Sequence, residues 1–238
     1  MSASIVAPQA VAVVNDDEVY QDSWSLQLRE AGYEPYVVRR PDSRPFQSIG
    51  ELADEVERHA PLAVIDHRLA PKGLAQFSGA AAIAELYDRR RTASLLVTTW
   101  EQQDANTTIR LHRRRVPVLM SPQDFDDPET IRRCFASCAR EVRDRQVPME
   151  RRPWRTAVLI EGRHTDSTFA VVDALVPGWN PELKVTFPLD LIQAPLCDRA
   201  TQGQLFFALV NIGAERGEDL FFSDFELAPD PDPNDGLA

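Results

Sequence analysis

Residues 61–73 read PLAVIDHRLAPKG, and this stretch decides the fold class of the first half of the chain. Its four apolar residues, 62–65, end directly at Asp66, and the following loop contains Pro71 and Gly73. This pattern is typical of a short buried strand that ends in an acid. Similar short apolar runs alternate with longer amphipathic stretches at 11–14, 36–38, 95–98 and 116–120. Because parallel strands need crossover connections, the alternation predicts a five-stranded parallel α/β unit.

The chain changes character after about residue 146, where Pro148 and Pro153 interrupt any helix. Apolar runs separated by Gly, Pro, Asn and Asp follow at 156–160, 169–176, 183–191, 204–212 and 220–227. Closely spaced strands without helices between them predict a small all-β barrel or sandwich. The predicted organisation is therefore an α/β domain at 8–146, a linker at 147–153, a β domain at 154–228 and a disordered acidic tail at 229–238.

Charge is distributed unevenly along the 238 residues. The whole chain has 37 acidic and 26 basic residues and a net charge of −11. Residues 154–238 contain 14 of the acids and 5 of the bases, a net charge of −9, so residues 1–153 carry a net charge of −2. An acidic β domain would repel a phosphate backbone or an anionic membrane. We therefore expect neither nucleic acid nor membrane as a partner, and a protein partner for the β domain.

Cysteine usage and the N-terminus bear on localisation. The three cysteines, Cys134, Cys138 and Cys197, form no C-x-x-C pair, and no histidine lies at a zinc-site spacing. No basic segment precedes the first apolar run, and no window approaches the roughly 18 apolar residues of a spanning helix. These features predict a cytoplasmic protein.

Polar side chains follow three of the predicted parallel strands. Asn15-Asp16-Asp17-Glu18 follows the first, Asp66 follows the third, and Thr98 ends the fourth. Because the carboxyl ends of parallel strands meet at one edge of a sheet, we expect these groups to converge. Neighbouring carboxylates need a hard cation or a proton to relieve their repulsion, and a hydroxyl can donate to an oxyanion. The arrangement predicts a site for an aspartate that carries a phosphoryl group.

Five segments in this order resemble the receiver domain of bacterial two-component response regulators. They are VAVVNDDE at 11–18, REAGYE at 29–34, PLAVIDHRLAPKG at 61–73, SLLVTTWE at 94–101 and VPVLMSPQDFDDPETI at 116–131. The resemblance covers a little over half of the chain and implies a flavodoxin-like (βα)5 fold.

The resemblance also implies a role for each strand-end residue. Asp66 would accept a phosphoryl group from a histidine kinase or another phosphodonor, and Thr98 would be the switch hydroxyl. Magnesium would be held by Asp16, Asp17 and Asp66 together with the backbone carbonyl of Arg68.

The acidic pair after the first strand can be aligned in two ways. Strand and helix lengths match the family without a gap if Asn15 and Asp16 form the pair. Matching the letters DDE instead selects Asp16 and Asp17, with one residue missing from the following helix. Asp16 belongs to the site in both alignments.

The main departure from the family lies after the fifth strand. The family usually has Lys followed by Pro, and this chain has Ser121 followed by Pro122. A serine can donate a hydrogen bond but supplies no charge to the acceptor aspartate or its phosphoryl group. Lys72, six residues after Asp66, either substitutes for the missing lysine or is a surface lysine without a role.

These features predict a non-enzymatic, atypical response regulator in a phosphorelay. Phosphorylation of Asp66 would control protein–protein interaction through a β domain that does not bind DNA, and the last strand and helix of the receiver would support a homodimer. The main alternative is a phosphorylation-independent pseudo-receiver adaptor. A third interpretation, a small magnesium-dependent hydrolase, lacks a general base and an obvious substrate pocket.

Overall fold

The computed structural model of the protein describes residues 8–40, 44–98, 103–166 and 169–229. The chain divides into two compact units between Pro148 and Met149. The predicted disordered tail, apart from its first residue, lies outside the described residues. No helix among the described residues is long and apolar enough to cross a membrane.

The first unit alternates strands and helices as predicted. Its strands are β1 (Ala10–Val14), β2 (Glu34–Val37), β3 (Leu62–Asp66), β4 (Ala93–Val97) and β5 (Val118–Met120). Its helices are α1 (Glu18–Glu30), α2 (Ile49–His59), α3 (Gly79–Arg89), α4 (Gln103–His112) and α5 (Pro128–Asp144). The strands form one parallel sheet in the order β2-β1-β3-β4-β5.

This sheet is buried on both faces, which explains the uninterrupted apolar runs of its central strands. In β3, Ala63 and Ile65 pack into one core cluster, whereas Leu62 and Val64 pack into another on the opposite face. All four are at most 2% exposed. The strand order with helices on both faces is that of flavodoxin-like folds, so the predicted fold of this unit is confirmed.

Side-chain caps set where the helices begin. Asp17, Ser48, Ser78 and Asp127 occupy the N-cap positions of α1, α2, α3 and α5, and each accepts a hydrogen bond from a backbone N–H of the first turn. Capping by short polar side chains satisfies donors that otherwise have no intrahelical partner. Two of these caps, Asp17 and Ser78, start the helices that follow β1 and β3, the strands whose ends hold Asn15 and Asp66. They therefore also fix the loops that surround Asp66.

The second unit is all-β, as predicted. Its strands are β6 (Trp154–Asp166), β7 (Phe169–Val176), β8 (Asn180–Pro188), β9 (Leu205–Val210) and β10 (Phe222–Leu227). They form one antiparallel sheet in the order β10-β9-β6-β7-β8. Among the described strands no ladder joins β8 to β10, so the sheet is not closed as a barrel.

Four of the five strands of this unit have bounds that differ from the prediction, and the differences are largest at β6 and β8. The run at 156–160 extends to Asp166, because a register shift between Ile160 and Gly162 absorbs the extra residue and β6 continues beside β7. The run at 183–191 ends as a strand at Pro188, and Leu189–Leu191 form a 3-10 turn. Both differences arise because strand ends depend on pairing with neighbours and not on apolar character alone.

A glycine packed against Asp66 provides a test of how tightly this fold holds the site. A Cβ on Gly79 would lie 1.9 Å from the backbone carbonyl oxygen of Asp66. We expect Gly79→Ala to lower the free energy of unfolding by about 1–3 kcal/mol, because backbone must move to accommodate the methyl group. Denaturant unfolding followed by circular dichroism measures the change.

Gly50→Ala is the matched control. Gly50 also lies in a helix of the first unit, but its Cβ would meet only ordinary contacts, the nearest at 3.5 Å. Its replacement should raise the free energy of unfolding by about 0.5–1 kcal/mol through helix propensity. A Gly79→Ala protein as stable as the wild type would contradict the close approach.

Candidate functional site

Asp66 lies at the carboxyl end of β3 and opens into a pocket of about 170 Å³. The sheet reverses its strand order between β1 and β3, and ligands of open α/β sheets bind at such a position. The pocket is lined by Asn15, Tyr20, Trp24, Asp66, Arg68, Val97, Thr98 and Pro122. The structure thus brings Asp66 and Thr98 to one pocket.

The carboxyl group of Asp66 is difficult to ionise. Burial raises its pKa to about 7, and the negative charge of Asp16 adds to the rise. Hydrogen bonds from the backbone N–H groups of His67 and Arg68, and the positive charge of Arg68, oppose it. At neutral pH the group is therefore divided between its acid and carboxylate forms.

Asn15 holds the loop after β1 in place. Its side chain is only 2% exposed, and its Oδ1 atom accepts the backbone N–H of Asp17 at 2.9 Å. Its backbone carbonyl accepts a hydrogen bond from the side chain of Gln21 at 2.7 Å. Asn15 is thus a rigid wall of the Asp66 pocket.

The two acids that follow Asn15 have different surroundings. Asp17 caps α1 and lies 2.7 Å from the Lys72 ammonium group, and the hydrogen bond from Lys72 holds the pKa of Asp17 below its usual value. Asp16 accepts the backbone N–H of Lys72 at 2.6 Å, and its charge acts on Asp66. Asp16 is therefore the acid that is electrostatically coupled to Asp66, whereas Asp17 is occupied as a cap and ion-pair partner.

Lys72 has a definite contact in this arrangement. It joins the loop after β3 to the loop after β1 through Asp16 and Asp17. It lines a neighbouring pocket of about 240 Å³, together with Asp16, and not the pocket of Asp66. Its geometry therefore supports neither of the two interpretations of this lysine, since it is paired with Asp17 and stands apart from the Asp66 pocket.

Thr98 and Ser121 lie on neighbouring segments, but only Thr98 lines the Asp66 pocket, whereas the Ser121 hydroxyl contacts Asp124. Thr98 is 5% exposed, and its backbone N–H donates to the carbonyl of Met120 at 3.1 Å. The Ser121 hydroxyl donates to Asp124 at 2.7 Å and accepts the backbone N–H of Asp124 at 3.1 Å. Ser121 is absent from the residues that line the Asp66 pocket, and Pro122 lines it instead.

The donor set of this site suits magnesium. Magnesium in proteins is commonly held by one or two carboxylates, with water completing its octahedral shell. Asp16 lines the neighbouring pocket, and its negative charge adds to the rise that burial causes in the pKa of Asp66, so a cation close to both carboxylates would relieve their repulsion. No group of three or more His, Cys, Asp or Glu side chains suited to a metal is found in the described part of the chain.

Sequence reasoning missed two neighbours of Asp66. It assigned only a backbone carbonyl to Arg68, but the residue lines the pocket and its charge lowers the pKa of Asp66. It assigned no role to His67, but this side chain is 5% exposed and its Nε2 atom lies 2.7 Å from Thr108 Oγ1 of α4. Burial lowers the pKa of His67 to about 4, so the imidazole is neutral at pH 7. Adjacency to Asp66 was the available signal for both.

The raised pKa of Asp66 predicts how stability depends on pH. A buried acid that holds its proton more tightly in the folded state stabilises the fold below its unfolded pKa, near 3.9, and this contribution is lost as pH rises through about 7. We expect Asp66→Asn to unfold at higher denaturant concentration than the wild type at pH 8, with the difference closing toward pH 4.

At about 1.4 kcal/mol per pKa unit, the shift sets an upper bound of about 4 kcal/mol on this difference. The measurement is denaturant unfolding across pH in the presence of EDTA, so that no divalent cation compensates the charge. Equal stabilities at pH 8 would contradict the burial penalty on Asp66.

No protein-family profile and no curated relative matches the chain. Among solved structures, the receiver domain of a modulated diguanylate cyclase from Desulfovibrio desulfuricans G20 is similar, with 14% identity and a TM-score of 0.42, over 57% of this chain and 96% of that one. A CheY-like receiver domain protein from Methanospirillum hungatei JF-1 has 17% identity and a TM-score of 0.41, over 56% and 98%.

A third similar structure is a response regulator from Burkholderia pseudomallei, determined with a phosphorylated aspartic acid, a calcium ion and citrate. It has 18% identity and a TM-score of 0.40, over 56% of this chain and 70% of that one. Most of the similar solved structures are response-regulator receiver domains. The parallel five-stranded sheet of the first unit, with its β2-β1-β3-β4-β5 order, fits a receiver domain.

Proposed function

We propose that the protein is an atypical response regulator in which magnesium-dependent phosphorylation of Asp66 controls a protein–protein interaction. The observation that carries this proposal is one pocket, at the switch point of a receiver-type sheet, that contains Asp66, Thr98 and Arg68. A nucleophilic carboxylate, a hydroxyl donor and a cation are the groups that phosphoryl transfer to aspartate requires.

In the proposed reaction, a carboxylate oxygen of Asp66 attacks the phosphorus of a phosphohistidine on a kinase. The P–N bond breaks, the imidazole leaves with the bonding electron pair and takes up a proton, and an acyl phosphate forms on Asp66. The pKa of about 7 means that part of the Asp66 population is protonated at neutral pH and cannot attack. Magnesium held by Asp16, Asp66 and the Arg68 carbonyl would stabilise the carboxylate form and the phosphoryl charge.

Thr98 would respond to the added charge. The hydroxyl of Thr98 would donate to a phosphoryl oxygen and so move with it, and the backbone of Thr98 is hydrogen-bonded to Met120 of β5. A displacement of Thr98 would therefore be transmitted to β5, the last strand of the first unit, and from there to α5. We propose that this surface supports homodimerisation or presents a changed face to a partner.

Arg68 supplies the positive charge that the family obtains from a lysine after the fifth strand. The Ser121 hydroxyl is engaged by Asp124, and Lys72 is engaged by Asp17. The charge of Arg68, in contrast, acts on Asp66. A guanidinium at this position can pair with phosphoryl oxygens in a bidentate manner.

The proposed partners are a histidine kinase or small phosphodonor for Asp66, and a protein for the acidic β domain. We take residues 8–146 as the receiver-like domain, 147–153 as the linker and 154–228 as the β domain. The net charge of −9 over residues 154–238 supports an output that does not bind DNA.

A second candidate function is a pseudo-receiver adaptor that works without phosphorylation. The observation in its favour is that Ser121, at the position of the usual lysine, is bound to Asp124 and lies outside the Asp66 pocket. In this case Asp66→Asn would leave partner binding unchanged.

Phosphorylation of the purified chain tests the proposal directly. With magnesium and acetyl phosphate we expect the intact mass to rise by one phosphoryl group, because Asp66 is accessible through its pocket. With magnesium and beryllofluoride we expect the fluorescence of Trp24, which lines this pocket, to change. Asp66→Asn should abolish both responses, and EDTA should prevent them. A wild-type protein that shows neither response would contradict phosphorylation and favour the adaptor.

The role of Arg68 is tested by removing the charge and then restoring it elsewhere. We expect Arg68→Gln to slow phosphorylation by acetyl phosphate by about tenfold or more, the usual scale for one oxyanion-stabilising group. Adding Ser121→Lys to this variant should restore part of the rate. Arg58→Gln is the matched control, since Arg58 lies on α2 and pairs with Glu55. Equal rates for Arg68→Gln and Arg58→Gln would exclude the role.

A further inference from the structure

The core cluster of the second unit takes its β-strand residues from one face of the antiparallel sheet, and Val171 of β7, 1% exposed, is buried on the other face. Val158 and Ile160 of β6, Ala174 of β7 and Phe206 of β9 all belong to the core cluster of this unit and are fully buried. Because side chains alternate along a strand, the residues between them project from the opposite face. This outer face is where a partner could contact the sheet.

The residues on the outer face are mostly apolar and lie side by side. The ladders pair Ala157 with Phe207, and Leu159 with both Leu205 and Leu175. None of the core clusters of the described residues includes them. Leu205 is 36% exposed, and the neighbouring residues of this face, Ala157, Leu159, Leu175, Phe207 and Leu209, are half-buried. We call the six side chains the outer patch: Ala157, Leu159, Leu175, Leu205, Phe207 and Leu209.

The charges around the outer patch favour a basic partner. Arg155, whose guanidinium lies over the Phe207 ring, pairs with Glu226 at 2.5 Å, and Lys184 pairs with Glu161 at 3.5 Å. These two pairs add no net charge beside the patch. Asp173 is two residues from Leu175 on β7, so its side chain projects from the same face as the outer patch. The excess of acids over bases in residues 154–238 extends this bias to the whole unit.

We propose that the outer patch binds an amphipathic segment of a partner protein, with an apolar stripe that covers the leucines and Phe207 and with Lys or Arg on its flanks. Adjacent leucine and aromatic side chains are typical anchors for such a segment. Charge complementarity selects the basic flanks. The acidic surface disfavours a second copy of this chain, because the two units would repel each other. The proposal specifies the partner of the β domain in the proposed function and rests on it.

Binding of a designed peptide to the full-length chain tests this chemistry. The probe is a fluorescein-labelled amphipathic helix of Leu and Lys, measured by fluorescence anisotropy in EDTA without a phosphodonor. We expect saturable binding that weakens with added salt, and no binding of the matched Leu/Glu peptide. Leu205→Ser and Phe207→Ser should each weaken binding about tenfold or more, as loss of a central anchor does.

Leu183→Ser is the matched control. Leu183 is 53% exposed in the same unit, but it lies in the irregular segment of β8 between Asn180 and Lys184 and is not one of the six residues of the outer patch. We expect its replacement to leave peptide affinity unchanged, and circular dichroism should show that all three variants remain folded. Two outcomes would overturn the proposal: equal affinity of the Leu/Lys and Leu/Glu peptides, or equal losses from Leu183→Ser and Leu205→Ser.

Sedimentation of the wild type and of Leu205→Ser separates a second copy from a partner. We expect the same mass for both proteins at all concentrations. A dimer that is present in the wild type and absent from the variant would overturn the proposal in favour of self-association. Because these measurements use no phosphodonor, failed phosphorylation of Asp66 leaves their outcome unaffected, and the two proposals fail separately.

Discussion

The burial of one carboxyl group at the carboxyl end of β3 is the constraint on which the rest of the first unit depends. β3 is the central strand of a sheet covered on both faces, so Asp66 follows four side chains that have left water almost completely. The same packing brings Gly79 of α3 against the Asp66 backbone, where a Cβ would not fit. The result is a carboxyl group held in a fixed position, with a pKa that burial raises to about 7.

The residues around this carboxyl group have structural or chemical roles that cannot be read from their residue types. Asp16 and Asp17 are adjacent acids, yet one acts on the charge of Asp66 and the other caps α1 and pairs with Lys72. Arg68 provides a cation two residues after Asp66, on the loop that follows β3. A receiver-type site could therefore keep its charge balance after losing the lysine of the fifth strand. The protein would then tolerate Ser121, which instead stabilises the turn at Asp124.

The second unit shows how an open sheet creates a surface as well as a core. Antiparallel sheets commonly bury one face and expose the other. Here the outer face has half-buried apolar side chains in the middle, with the ion pairs Arg155–Glu226 and Lys184–Glu161 beside them, a pattern found at contact sites. Signalling by charge at Asp66 and recognition through the β domain would use different physical forces. The first relies on electrostatics in a small pocket and the second on apolar contact selected by charge.

The sequence by itself determined the α/β character of the first unit, its five strands and the strand-end position of Asp66. These features depend on local periodicity, caps and the spacing of apolar runs, which the chain carries in every conformation. Only the tertiary structure decided the partners: Lys72 with Asp17, Arg68 with Asp66, His67 with Thr108, and Ser121 with Asp124. It also decided that the antiparallel sheet stays open and that β6 continues past Ile160. The physical reason is that hydrogen bonds, ion pairs and pKa shifts depend on distances between segments far apart in the chain, and those distances exist only after the sheets have formed.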